Sequence, residues 1–423
     1  MRRCSLEVAR RFVLGRQGLW PGRRWGGPGA VDRTIRYVGS VQYDPLDVVG
    51  RNADLALWGR IDDYRPEDLE NALYRRRSLF ESAGNVQIRP VGEIPYLRVA
   101  MQRSVGAKRW HAFVRQHGAT VRRVRRELAR RGPLGPGDFR EAGREPIQNY
   151  RAGTVEGLAL YHLWLKGDVL VAFRRRGEKV FDLAERLLPT TLADVPAADA
   201  EEHLILGTLR ELGLPTASDW LAHAHTRIGR STLRWEWTRR LRAWRDAGRI
   251  REVEVEGKRG PRWLVVEAEL ESLIAGDVPP AWKPRSTTTE EEAVLLAPLD
   301  RVSARGRASD LFDFEYLWEV YKPESARRWG YYTLPVLFGD RLRARIELRH
   351  DRPQNEVRAI GFWPEESSLR RDPRFADALG RALGRLAAFR GGARVGSLRA
   401  LGSRSFAQRV TDAAARSSIA RDA

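Results

Sequence analysis

The residues of this chain best suited to chemistry are Gln42 and Asp44, in the segment VQYDPL. The alternation Val41, Gln42, Tyr43, Asp44 fits a strand, and side chains two apart on a strand share a face, so an amide and a carboxylate would stand side by side. Such a pair can hold one water. It suits hydrolysis of an N-glycosidic bond, in which the departing base leaves an oxocarbenium-like sugar. An ionised Asp44 stabilises the developing positive charge and accepts a proton from the attacking water, while Gln42 orients that water. The reaction needs no metal and no cofactor. The same residues also read as a helix start, with Asp44 at the N-cap, Pro45 at the first helical position and Asp47 two residues later. Caps are commoner than catalytic carboxylates, so these residues alone favour the cap. The two roles are compatible only if one carboxylate oxygen stays free.

Other reactive groups are few. A single cysteine, Cys4, excludes an intramolecular disulfide and a cysteine-based zinc cluster, and it implies a reducing compartment. Among seven histidines only His223 and His225 stand close, at a spacing that suits neither a helical i, i+4 ligand pair nor a partnered cysteine motif. A structural role is expected for them.

The elements that must position Gln42 and Asp44 follow from periodicity and turn signals. Three stretches repeat one outline, helices followed by a two-stranded ribbon, which is that of a winged helix. Residues 1–118 would form the first, with the catalytic motif and connecting helices: an N-terminal helix, a Gly-rich loop, a helix near VDRTIRYVG, the VQYD strand, helices from Pro45 and Pro66, and a ribbon in RRRSLFESAGNVQIRP. Residues 119–195 would form the second, where a basic helix breaks and restarts near Pro136 or Asp138, a helix covers VEGLALYHLWLKG, and DVLVAFRRRGEKVFDL makes strand, turn and strand. Residues 196–280 would form the third. There Ser218 or Ala217 opens one helix, and Ser231 and Gly248 bound another whose Leu233, Trp237, Leu241 and Trp244 recur every three or four positions. IREVEVEGKRGPRWLVVE then alternates as a hairpin with a basic tip. After a Pro- and Thr-rich linker, residues 290–395 read as an antiparallel β-rich module containing a helix, and 396–423 as a weakly apolar tail that frays. The fold class is α+β, mainly α.

Lys and Arg outnumber Asp and Glu by 75 to 55, for a formal charge of +20, and only six of the cations are lysine. Guanidinium groups pair with phosphate oxygens and stack on bases, and a high net charge speeds encounter with a polyanion, so nucleic acid is the leading partner. An arginine-rich composition can also reflect a GC-rich genome, with the side chains solvating the surface. No run of 18 apolar residues occurs, and the opening MRRCSLEVARRFVLG lacks a signal-peptide core. A cytoplasmic, nucleoid-associated monomer with no membrane contact is expected.

The segment VQYDPLDVVGRNADLALWGRIDDYRPEDLENALYRRRSLFE resembles the N-terminal signature of the winged-helix DNA glycosylases of the AlkZ and YcaQ type. RRRGEKVFDLAERLLP is similar to that family's middle wing, and LLAPLDRVSARGRASDLFDFEYLWEVYKPESARRWGYYTLPVLFGDRL to its C-terminal β-rich module. The resemblance implies a monofunctional glycosylase acting on double-stranded DNA that carries alkylated purines or N7-linked interstrand crosslinks, and leaving abasic sites. The family's catalytic motif, Gln, an apolar residue, then Gln or Asp, falls on Gln42, Tyr43 and Asp44, the Gln/Asp variant. After LFE the chain departs from the family: Ser82, Ala83, Gly84 and Asn85 stand where aromatic residues and then His-Ala or Asn-Lys are usual.

Candidate DNA contacts are Arg51 and Asn52 after the motif, Arg75, Arg76 and Arg77 before the first ribbon, and Asn85 in the departing segment. Arg174, Arg175, Arg176 and Lys179 surround the second wing's turn, and Arg327 and Arg328 lie in the C-terminal block. Trp329, Tyr331 and Tyr332 beside them read as core or hairpin residues, not base-stacking platforms. The rival reading is a winged-helix DNA-binding protein or transcriptional regulator without enzymatic activity.

Overall fold

The computed structural model describes residues 2–142, 152–189, 192–264 and 267–422. Within them the chain packs as two compact units, one of residues 1–66, 212–214 and 252–423, the other of 67–211 and 215–251. The fold is mixed α+β with helices predominating and a β-rich C-terminal module.

The first unit begins with a strand that the amphipathic N-terminus concealed. Arg2–Cys4 runs parallel to the ribbon strand Arg251–Val255, pairing Arg2 with Val253 and Cys4 with Val255, and Arg262–Leu264 completes this sheet. Residues 265 and 266, the end of the expected third ribbon, lie outside the described residues. Ser5 then caps the helix Leu6–Arg16, its hydroxyl accepting from the Val8 amide at 3.2 Å. Phe12, Leu14 and Leu19 face a core shared with Val253, Leu264, Trp282, Phe312 and Leu337. This single contiguous apolar cluster ties the N-terminal helix to residues some 300 positions later.

The C-terminal module is a five-stranded sheet of Val294–Leu295, Thr333–Phe338, Arg341–Asp351, Glu356–Pro364 and Arg394–Val395. Its pairings are antiparallel except at one edge, where Glu356–Pro364 and Arg394–Val395 run parallel. The helix Pro373–Phe389 is capped by Asp372, which accepts from the Arg374 and Phe375 amides. The tail does not simply fray. Arg404–Asp422 is a helix that lies against Pro373–Phe389, and Gly380 and Gly384 explain the fit. A Cβ at Gly380 would sit 2.4 Å from the Val410 carbonyl oxygen and one at Gly384 2.6 Å from that of Ala414, so only glycine permits this approach. Two glycines one turn apart carried more of the packing than the tail's apolar content indicated.

In the second unit the order helix then ribbon is present. The basic helix Lys108–Arg131 bends at His117 and ends at Gly132; Pro136–Ala142 is a 3-10 turn, Val155–Lys166 a helix, and Val169–Arg175 pairs antiparallel with Glu178–Leu183. Thr154 caps Val155–Lys166, its hydroxyl accepting from the Gly157 amide. Trp110, Phe113, Leu128, Leu163, Trp164, Val171 and Phe181 form the core. Trp164 buries its ring and donates its indole N–H to the Glu81 carbonyl at 3.1 Å, which joins this core to the ribbon Leu79–Ser82 and Gln87–Pro90.

Farther along, the helix Ala217–Ile228 is capped by Thr216, one residue before the expected start. The helix Arg234–Asp246 opens at Leu233, not Ser231, because the Thr232 amide donates to His225 Nε2 at 2.9 Å and holds this segment against the preceding helix. His223 bonds the Asp219 carbonyl, so both histidines act structurally. Trp237 and Trp244 are buried against Trp220, whereas Leu233 is exposed.

Candidate active site

Val41–Gln42 is a two-residue strand, and Tyr43–Asp47 continues without regular structure. Burial still alternates: Val41 and Tyr43 are buried, Gln42 and Asp44 half-buried, which keeps the amide and the carboxylate on the accessible side. The helix expected from Pro45 is absent, and the next helix is Asn52–Trp58. The intervening carbonyls are taken by the C-terminal module instead of by a helix: Val48 accepts from the His350 amide at 3.3 Å, and Gly50 from the Tyr332 hydroxyl at 2.7 Å. Asp44 is therefore not a helix cap. Its Oδ1 accepts from the Leu46 amide at 3.0 Å, a local turn of the Asx kind, and among the described residues its second oxygen has no hydrogen-bond partner.

Gln42 is held from two sides. Its backbone carbonyl accepts from Asn52 Nδ2 at 2.7 Å, and Asn52, 1% exposed, also accepts from the Leu299 amide at 2.8 Å. Asn52 thus clamps the motif strand to segment 299–306 and does not face solvent. The Gln42 side-chain oxygen accepts from Arg305 Nη2 at 3.0 Å. In the same segment Arg301 donates to the Ser40 hydroxyl at 2.7 Å, and Asp300 anchors it through a buried pair with Arg60 at 2.8 Å. Sequence reasoning missed Arg301 and Arg305. The available signal was that DRVSARGR lies in the block resembling the family, but nothing local linked it to a strand some 260 residues earlier.

The carboxylates near this strand differ in their partners. Asp47 pairs with Arg390 at 3.0 Å and Arg352 at 3.2 Å, and Asp54 takes Arg51 and the Tyr64 hydroxyl, the latter at 2.6 Å. Asp44 has no ion-pair partner among the described residues. Burial, and then the charges of Asp44, Asp47 and Asp54, push the Tyr332 hydroxyl well above its ordinary range, so it remains a neutral donor to Gly50. Among the described residues the arrangement leaves an amide NH2 and a carboxylate oxygen without protein partners, two residues apart on one stretch of extended chain. Together they can bind and deprotonate one water.

The other candidates divide by what already holds them. Arg51 is occupied by Asp54, and burial lowers while Asp54 raises its affinity for its proton, the net being upward. Arg75 is exposed at the end of a π-helical turn, Asn71–Arg75, and Arg76 is exposed beside it. Arg77 takes a left-handed backbone, φ 57°, and donates to the Leu73, Val171 and Ala172 carbonyls, a structural clamp. Arg174 turns inward to Glu81, which is 2% exposed and also accepts from the Tyr74 hydroxyl at 2.6 Å. Arg175 pairs with Asp138 at 3.0 Å, and Arg176 is exposed at the ribbon's turn. Lys179 lies 5.3 Å from the Trp164 ring, and burial, with Arg174 nearby, lowers its ammonium below the ordinary lysine range. Asn85 is exposed in the turn after Ser82, while Ala83 and Val86 pack on the core. Arg327 donates to the Lys322 carbonyl and lies over Tyr331; Arg328 pairs with Glu315 at 2.6 Å. Trp329 and Tyr332 are buried.

Among the described residues no group of three or more His, Cys, Asp or Glu could hold a metal ion, and no helix is long and apolar enough to cross a membrane. A sequence model of the family described as DNA glycosylase AlkZ-like matches residues 35–389. Among solved structures, the chain is similar to the Streptomyces sahachiroi DNA glycosylase AlkZ, with a TM-score of 0.60 and 16% identity over 94% of this chain and 99% of that one. At that identity the structural likeness speaks to fold, and the family match speaks to kinship.

Proposed function

This chain belongs to the AlkZ-like DNA glycosylase family, and from that premise we propose that it hydrolyses the N-glycosidic bond of alkylated purines, N7-linked interstrand crosslinks included, with Gln42 and Asp44 as the catalytic pair. The observation that carries the assignment is the contrast in partners: among the described residues Asp44 keeps a carboxylate oxygen without a protein partner, whereas Asp47 and Asp54 are spent on cations. An N7-alkylated purine is cationic and departs readily, so the protein need supply little acid assistance. Water bonds to the anomeric carbon as the carbon–nitrogen bond breaks; the electron pair leaves with the base and the water's proton passes to Asp44. Gln42 orients the water, and Asp44 stabilises the positive charge that builds on the sugar.

A lyase step needs an amine nucleophile, and the first lysine in the chain is Lys108, far from the motif in sequence, which supports a monofunctional reaction ending at an abasic site. Crosslinked purines are tethered to the opposite strand, so complete flipping of a single base is hindered and the pair must work on a lesion that stays near the duplex. Contacts to phosphates are proposed for the exposed cations Arg75, Arg76 and Arg176, and the protein is proposed to act as a monomer. The test is release of base from duplex DNA carrying N7-methylguanine or an N7-linked crosslink, read as alkali-labile abasic sites. Wild-type protein yields them, and Gln42→Ala and Asp44→Asn do not while still binding DNA. Normal release by the double variant would sink the assignment.

A further inference from the structure

A catalytic amide must be aimed as well as present, and Gln42 is aimed by a residue to which the preceding reading gives no part. Resting on that reading, we propose that Arg305 is a positioning residue whose guanidinium fixes which end of the Gln42 amide faces the lesion, holding the NH2 group outward as a donor.

The two ends of a glutamine amide are nearly equal in shape and opposite in hydrogen-bonding sense, and the terminal torsion is broad and roughly two-fold. Unaided, Gln42 would present its oxygen or its NH2 with similar ease. Arg305 Nη2 stands 3.0 Å from the side-chain oxygen of Gln42. A guanidinium carries only donors, so an NH2 turned toward it would set donor against donor, and the carbonyl end is the one that fits. The NH2 end therefore points away from Arg305, and among the described residues nothing accepts from it.

That orientation matters to the reaction. A water that gives its proton to Asp44 has two lone pairs; one accepts from the Gln42 NH2, and the other is then directed at the anomeric carbon. With the amide reversed, its oxygen would take the water's other proton and no donor would hold a lone pair, so the attacking pair would lose its alignment.

The backbone of segment 299–306 points the same way. Arg305 adopts φ 58°, ψ 39°, and Gly306 follows at φ 78°. The left-handed region costs an arginine what it does not cost glycine, so position 305 holds a strained side-chain-bearing residue where glycine would relax. Arg305 also belongs to a frame. Arg301 holds Ser40, Asn52 links Leu299 to the Gln42 carbonyl, and the buried Arg60 and Asp300 pair fixes the frame itself. Backbone and side chain of Gln42 are thus set by one segment.

The experiment compares Arg305→Ala, Arg305→Lys and Gln42→Ala in the full chain. Single-turnover excision is measured at saturating enzyme on duplex DNA with one N7-methylguanine, and DNA affinity at two salt concentrations. Arg305→Ala is expected to slow excision about ten- to a hundredfold, the loss typical of a misaligned reacting group, with affinity within about threefold and an unchanged salt slope. Arg305→Lys, which keeps a donor, recovers much of the rate. In protein labelled with 15N-glutamine, the Gln42 NH2 signal, assigned by its loss in Gln42→Ala, shifts in Arg305→Ala. A wild-type rate in Arg305→Ala, with Gln42→Ala inactive, overturns the positioning role alone. Weaker, less salt-sensitive binding with an unchanged rate at saturation makes Arg305 a phosphate contact and overturns it too. Should Gln42→Ala keep the wild-type rate, the catalytic reading fails, while the NH2 signal still reports whether Arg305 holds the amide.

Discussion

Arginine is put to different use at the motif strand and at the ribbon Val169–Leu183. At the strand, Arg305 meets a neutral amide, and among the described residues the nearby carboxylate Asp44 has no cation. At the ribbon, Arg174 is drawn inward to a buried carboxylate, Glu81, and the charge is consumed by folding. The same side chain orients a reactive group in one place and neutralises one in the other. Positive charge counted along the sequence therefore overstates what is available to DNA, because pairing is decided by residues far away in the chain.

The comparison breaks most visibly through its two carboxylates. Asp44→Asn keeps an oxygen for the Leu46 amide but cannot take a proton, so excision should fall by roughly 10²–10⁴-fold, the usual contribution of a positioned base, with little change in melting temperature. Arg174→Ala should do the opposite. It strands Glu81 at 2% exposure with the Tyr74 hydroxyl as a remaining partner, at a cost of about 3–5 kcal/mol typical of a broken buried pair. Thermal denaturation should register that as a fall of several degrees. If Asp44→Asn melts early and stays active while Arg174→Ala is unaffected, the division of labour is inverted.

Much of the fold could be read from local signals, and the site only in part. Gly248 sits just past its helix where a left-handed residue is required, and the alternation of the ribbon VLVAFRR against EKVFDL is plain in the sequence. The helix expected at Pro45 does not form: Asp-Pro is a good start signal, but the chain there gives its carbonyls to His350 and Tyr332. The N-terminal strand was hidden for a similar reason: Arg2–Cys4 finds its partner at 253–255. Type and spacing offer Gln42 and Asp44 as a pair but by themselves favour a cap at Asp44, and only the flanking blocks that resemble the family tip the reading toward catalysis. Arg305 could not be picked out, since a left-handed arginine reaching back 263 residues has no local signature.

A second buried carboxylate, Glu201, sharpens the contrast through pH. It accepts from Arg103 at 2.5 Å, Arg230 at 2.8 Å and Arg240 at 2.7 Å, and although burial alone would raise its pKa, these bonds bring it down to about 2. A carboxyl depressed in the folded state adds stability that is present above its unfolded pKa and disappears as pH falls through the folded value. The window therefore runs from about 4.5 down to about 2. Glu201→Gln should cost roughly 2 kcal/mol at neutral pH, the scale of a charged hydrogen bond, and the gap to wild type should close on acidification through that window. A gap independent of pH would mean that shape, not charge, is what the arginines use.

The smallest effect tests the cation that the ribbon leaves exposed. Arg176 and Gly177 form the two-residue turn between the paired Arg175 and Glu178, with φ 50° and 86°, a geometry that favours glycine at both positions. Arg176→Gly should therefore raise stability by up to about 1 kcal/mol, because the left-handed strain is relieved and no ion pair of Arg176 is lost among the described residues. If this turn lies on the DNA backbone, the same change removes one phosphate contact and reduces the slope of log affinity against log salt by about 0.9. Stabilisation together with a shallower slope separates Arg176 from Arg174, the same guanidinium in two surroundings: one taken up by the fold, one left for the ligand. Stabilisation with an unchanged slope would remove the ribbon's turn from the DNA interface and leave Arg75 and Arg76 as the exposed cations to test next.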